Sequence, residues 1–143
     1  WQVRTDPRTR VFERTNIRTA DPADLGAPFD VLVADLSFIG LASLAGVFAR
    51  LCHAGSVLIA LVKPQFEAAR DEVGEGGVVS DPAVWLASLE SVATAFRGHG
   101  LGPVAACPSP ITGHKGNREF LLLGERGGQG RDLDLAEVVA RAW

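Results

Sequence analysis

The chain contains no methionine, and only two of its 143 residues are lysine, Lys63 and Lys115, against twelve arginines. Lysine is therefore not a general solubilising charge here, and each one needs its own explanation. Cysteine is equally scarce. Cys52 and Cys107 form no Cys-x-x-Cys pair, which argues against a disulfide framework and fits a reducing, cytoplasmic setting. His53, His99 and His114 have no metal-ligand spacing, so no metal is expected. No apolar run approaches the roughly 20 residues of a membrane span, and no secretory signal is recognisable, so a soluble protein is expected. Positive charge is not in excess either: the net charge is −3. A protein that grips nucleic acid unaided usually carries a basic field, so an RNA substrate would have to be held largely by charge from elsewhere. The opening stretch "WQVRTDPRTRVFERTN" has no terminal character. With methionine absent, it leads us to expect a fragment whose N-terminal part is missing.

What is present is a 47% hydrophobic composition, enough for one domain with a real core. Strand and helix patterns alternate. Residues 10–14 read as a short strand, and "FDVLVAD", 29–35, is a continuous apolar run closed by Asp35. Runs of that kind mark strands covered on both faces. Leu41, Leu44, Ala45, Phe48, Leu51 and Cys52 follow helical spacing, with Gly55 as the stop. Residues 57–62 form the next buried strand, followed by a glycine-rich, charged loop over about 65–80. Asp81 before Pro82 is an N-cap with proline at the first helical position. Trp85, Leu89, Val92 and Phe96 line one face of that helix, which stops at Gly98 and Gly100. Strands are expected over 103–107 and 118–124, and Asp132 is expected to cap a last helix carrying Leu135, Val138, Val139 and Ala142.

This alternation predicts an α/β fold, a mostly parallel sheet with helices on both faces. Ligands bind such sheets beyond the carboxyl ends of the strands. Asp35 closes one strand, Lys63 closes the next and Glu119 enters the last. If the last strand runs antiparallel, all three converge on one cleft.

Five stretches in order, "ERTNIR" (13–18), "DVLVADLSFIGL" (30–41), "LVKPQFE" (61–67), "GGVVSDP" (76–82) and "SPITGHKGNREFLLL" (109–123), resemble the motifs of the TlyA, or hemolysin A-like, proteins. These are S-adenosylmethionine-dependent ribosomal RNA 2'-O-methyltransferases with an FtsJ-type catalytic domain. The resemblance covers roughly residues 1–124. It implies a Rossmann-like methyltransferase sheet with one antiparallel strand, and a Lys-Asp-Lys-Glu tetrad. By position the aspartate falls on Asp35, the second lysine on Lys63 and the glutamate on Glu119. The first lysine, the glycine-rich first cofactor loop, the N-terminal strands and a small S4-like RNA-binding domain would precede this sequence. Residues 1–143 would then be the C-terminal part of the catalytic domain.

Each residue also has a plainer reading. Lys63 could be a strand-end lysine reaching solvent. The resemblance makes it the group that deprotonates or steers the ribose 2'-hydroxyl. Asp35 could cap the following helix, or it could orient Lys63 and contact the cofactor. Glu119 alternates in step with Leu121 and Leu123, which argues for burial and a partner. Asn117 fits turn geometry, and Asn16 fits either a turn or a cofactor contact, since the family places that segment beside the adenine. "GEGG", 74–77, matches no phosphate-binding spacing and reads as a lid beside the site. The expected activity is S-adenosylmethionine-dependent 2'-O-methylation of ribosomal RNA, with ribosomal subunits as partners. A non-catalytic RNA- or protein-binding module and a membrane-active hemolysin are the alternatives.

Overall fold

A computed structural model describes residues 2–142. Four strands, β1 (Phe29–Ala34), β2 (Cys52–Val62), β3 (Leu101–Pro108) and β4 (Phe120–Arg126), form one sheet in the order β1-β2-β4-β3. β1 and β2 are parallel, whereas β4 runs antiparallel to both β2 and β3. The sheet is thus mixed, with a single reversed strand set among three that share a direction.

Six helices accompany it: α1 (Gln2–Thr5), α2 (Pro22–Leu25), α3 (Ala45–Leu51), α4 (Pro64–Glu67), α5 (Pro82–Gly98) and α6 (Leu135–Ala140). α5 starts where Asp81 and Pro82 place it: the Asp81 carboxylate accepts from the Ala83 amide at 2.8 Å, satisfying one of the first-turn donors that have no partner within the helix. Trp85, Leu89, Val92 and Phe96 are all buried on its inner face. They meet Leu58, Ala60 and Val62 of β2 and Phe120 and Leu122 of β4 in one core.

Only one face of the sheet carries this core. Along β2 and β4 buried residues alternate with half-buried ones, and on β1 Val31 and Val33 are 59% and 69% exposed. Helices on both faces were expected from the continuous apolar runs. On β1 this second face borders the 8–17 segment, with Val33 lining a cavity beside Arg10, Phe12 and Ile17, and its apolar side chains stay partly open.

Three further expectations are corrected. Residues 10–14 form no strand: they have no neighbouring strand to pair with, and Arg10 lies instead over the Phe12 ring, 5.0 Å from its centroid. The first long apolar helix stops at Leu51, because Cys52 is already extended (φ −116°, ψ 145°) and pairs with Phe29. Gly55, expected as the stop, sits at φ +90° inside β2, where residues 53–56 stand opposite the single residue Asp30 of β1. The Ser56 hydroxyl holds this bulge by accepting from the His53 amide and donating to the Phe29 carbonyl. Bulges of this kind need a residue that tolerates positive φ. Finally α6 is capped by Asp134, whose carboxylate accepts from the Glu137 amide at 2.9 Å, and not by Asp132.

Candidate functional site

The reversed direction of β4 builds the site. In the β2–β4 ladder Val62 pairs with Phe120, so Lys63, leaving β2, and Glu119, entering β4, lie at the same edge. β1 ends beside them, with Ala34 paired to Ala60, and delivers Asp35. All three side chains line one cavity of about 450 Å³, within the usual range of small-molecule sites.

Lys63 holds an extended backbone as the residue before α4, and Pro64 at the first helical position fixes the turn that follows. Its side chain is only 13% exposed, and Nζ lies 2.6 Å from Asp35 Oδ1. A cation at the lip of a buried strand is thereby explained by a carboxylate on the neighbouring strand. Asp35 is itself 66% exposed, so the pair sits at the boundary between core and solvent.

Glu119 is 8% exposed. Its Oε1 accepts a hydrogen bond from Gln65 Nε2 at 3.0 Å, the partner that its burial requires. Gly113 passes so close that a methyl carbon there would lie 2.5 Å from Glu119 Cδ. Glycine is needed at this point for space alone, since its φ is −75°.

Two loops close the far wall. Asn117, buried, accepts from the Val79 amide at 3.0 Å and donates to the carbonyls of Gly77 at 2.9 Å and His114 at 3.2 Å. It ties the "GEGG" loop to the "TGHKGN" loop, so its work is geometric. Gly76 and Gly77 line the cavity, which puts that loop beside the site.

Glu67 braces the opposite wall. Its carboxylate accepts from the Leu41 amide at 2.5 Å, joining the turn after Lys63 to the segment after Asp35. Burial raises its pKa, partly offset by the hydrogen bonds it accepts from the Leu41 and Ala42 amides. Phe38 stands at the mouth, 91% exposed and at φ +64°, with its ring centroid 5.2 Å from that of Phe66. A bulky residue exposed in the left-handed region is uncommon and marks a site worth a functional explanation.

Asn16 is not among the cavity's lining residues. Its Oδ1 accepts from the Arg18 amide at 3.0 Å, and its carbonyl from Thr19 and Ala20, which is a turn. No group of three or more His, Cys, Asp or Glu side chains is arranged to hold a metal ion among the described residues. No helix among them is long and apolar enough to cross a membrane. Gln65 and Phe38 carried no spacing signal of their own. The available clue was their position, two residues after Lys63 and three after Asp35.

The cavity thus combines one ammonium, two carboxylates and a pair of aromatic rings. Carboxylates and aromatic faces both attract a cationic ligand, so the lining suits a molecule that carries positive charge.

The model of the FtsJ-like methyltransferases matches residues 1–126. The chain is 41% identical over 122 residues to TlyA of Mycobacterium tuberculosis, described as a 16S/23S rRNA (cytidine-2'-O)-methyltransferase; the match covers 85% of this chain and 46% of that protein. It is 42% identical over 145 aligned residues to YqxC of Bacillus subtilis, described as an rRNA methyltransferase, covering 97% of this chain and 51% of YqxC. The chain spans about half the length of these curated relatives. A solved structure from Streptococcus thermophilus, described as a hemolysin, superposes with a TM-score of 0.92 at 35% identity, covering 99% of this chain and 53% of that one.

Proposed function

The chain belongs to the FtsJ-like methyltransferase family, and from that premise we propose that it is the catalytic part of an S-adenosylmethionine-dependent enzyme methylating the ribose 2'-oxygen of ribosomal RNA. The observation that carries this reading is the Lys63–Asp35 ion pair at 2.6 Å in a cavity shared with Glu119. We read the chain as the C-terminal part of the catalytic domain. The first glycine-rich cofactor loop, a further lysine and an S4-like RNA-binding domain would come from preceding sequence. Ribosomal subunits are the partners and the cytoplasm the setting. The description of TlyA suggests cytidine as the nucleoside.

The lining fits the cofactor. Asp35 is open enough to receive its ammonium group. Asn16, in a turn outside this cavity's lining, is proposed as the contact beside the adenine. When bound, S-adenosylmethionine supplies an electrophilic methyl group.

The rest falls to side chains of this chain. Methyl transfer needs alignment and the removal of one proton. We read Lys63 as the group that deals with that proton. As the free amine it takes the proton; as the ammonium it holds the attacking oxygen in line while the proton passes to solvent. Asp35 fixes the position of Nζ, and Glu119 offers its second carboxylate oxygen to the same space. Phe38 at the mouth offers a face on which a splayed-out base can stack.

The test uses the full-length parent protein, labelled S-adenosylmethionine and unmodified ribosomal subunits, and compares the native sequence with Lys63→Ala. Label on a ribose 2'-oxygen that disappears in the variant supports the reading. Equal transfer by both proteins reduces Lys63 to a surface charge, and no transfer by either removes the enzymatic reading.

A further inference from the structure

Among the described residues one buried side-chain polar atom has no hydrogen-bond partner, and it is Gln65 Oε1. Gln65 is one of the residues lining the cavity shared by Lys63, Asp35 and Glu119. Buried acceptors without a donor are rare and costly, and each needs a reason.

The orientation of the amide is not arbitrary. Nε2 donates to Glu119 Oε1 at 3.0 Å. Turning the amide over would set its oxygen against a carboxylate oxygen, two acceptors face to face. Glu119 therefore commits the Gln65 oxygen to point elsewhere. The backbone leaves little slack, because Pro64 is fully buried and the Phe66 amide donates to the Lys63 carbonyl at 2.9 Å. The acceptor is held ready with nothing on it.

Resting on the reading of this cleft as a ribose 2'-O-methylation site, we propose that Gln65 Oε1 accepts a hydrogen bond from the target 2'-hydroxyl. This would make Gln65 a substrate-contacting residue of the reaction. The choice of donor follows from position. The groups around Gln65 are those of the reacting centre, whereas the aromatic rings that suit a base stand at the mouth. What approaches Gln65 is the sugar, and a ribose inside an RNA strand has one hydroxyl, the 2'. With its hydrogen directed at Gln65, that oxygen turns a lone pair toward the methyl group, an alignment that oriented intramolecular reactions show to be worth a large rate factor. Gln65 takes no proton. With Lys63 as the ammonium donating to the oxygen's other lone pair, the new O–CH₃ bond forms as the S–CH₃ electron pair returns to sulfur, and the hydrogen then leaves the methylated oxygen to solvent.

The experiment separates the two jobs of the Gln65 amide. Gln65→Met removes both the donor to Glu119 and the free acceptor. Gln65→Lys keeps a donor for Glu119, removes the acceptor and adds a positive charge, for which the neutral Gln65→Met is the control. Single-turnover transfer to unmodified ribosomal subunits is measured for the full-length parent and both variants. The half-saturating subunit concentration and S-adenosylhomocysteine binding are followed in parallel. The expected result is at least a tenfold lower transfer rate in both variants, with half-saturation and cofactor-product binding unchanged. Transfer by Gln65→Lys at the parental rate would overturn the proposal, since Gln65 would then act only by holding Glu119. If Gln65→Met fails to fold, Gln65→Lys alone decides. Failure of this inference is distinct from failure of the reading beneath it. A parental rate in Gln65→Lys alongside inactive Lys63→Ala leaves methyl transfer intact, whereas indifference to Lys63→Ala removes both.

Discussion

Gly113→Ala adds one methyl group and no backbone strain, since φ at that position is −75°, yet it is expected to disable the site. The new carbon would sit 2.5 Å from Glu119 Cδ. Relaxing that to an ordinary contact of 3.4 Å requires the carboxyl carbon to retreat by about 0.9 Å, and Oε1, which lies nearer still, by more. Glu119 is held on its other side by the 3.0 Å hydrogen bond from Gln65, which does not survive a movement of that size. Losing a buried hydrogen bond to a charged group costs about 1.5–3 kcal/mol, or roughly 4–12 °C in thermal midpoint for a chain of this length. A displacement of about 1 Å in a catalytic group can cost on the order of 100-fold in rate. Single-turnover transfer from labelled S-adenosylmethionine should fall by about that factor, while scanning calorimetry shows a folded but weakened protein. Parental transfer with an unshifted midpoint would refute the placement of Glu119 against Gly113, and with it the cavity's inner wall.

Asn117→Ala should cost about 2–4 kcal/mol by leaving the Val79 amide and the Gly77 carbonyl unpaired, and limited proteolysis should then cut first within 74–79 or 112–117. The Asp30 carboxylate, 2.7 Å from His53 Nε2, raises the His53 pKa above 6.5. This stabilisation is full below pH 6.5 and is lost as pH rises through the higher folded value. The midpoint difference between the parent and Asp30→Asn should therefore shrink with rising pH across that window; a pH-independent difference would count against the pairing. Glu67 behaves oppositely to a salt-bridged acid. Its folded pKa lies above 4.5 because of burial, so the folded state binds its proton more tightly and its contribution to stability falls as pH rises from 4.5 through that value. In Glu67→Gln this slope should disappear from pH-dependent denaturation curves.

Most of the fold could be read from the sequence wherever burial writes a simple period. β1 and β2 showed as apolar runs, and α5 as an Asp-Pro cap before a 3.6-residue stripe. The site's three charged residues showed as polar residues at strand ends, which needed only the reversed direction of β4 to bring them together. Other features were misread for physical reasons. Leu51 and Cys52 are both buried, one in a helix and one in a strand, so apolar spacing alone could not locate the boundary between them. Val31 and Val33 are as apolar as the core facing the other way, so the runs implied two covered faces where one is open. Asp132 and Asp134 have equal capping chemistry, and only the path of the chain selects the second. Gln65 was out of reach because its importance lies in an oxygen with no partner, and no spacing rule records that.

The position of β4 also bears on how the molecule is made. It is the last strand in the sequence but lies inside the sheet, between β2 and β3. A nascent chain that has not yet delivered residues 120–126 can zip β1 onto β2, but β3 has nothing to join. Glu119 is not yet beside Lys63, and Gln65 has no carboxylate to hold. The joining of β3 to the sheet and the arrival of Glu119 beside Lys63 are therefore one event, and chains interrupted before residues 120–126 hold neither.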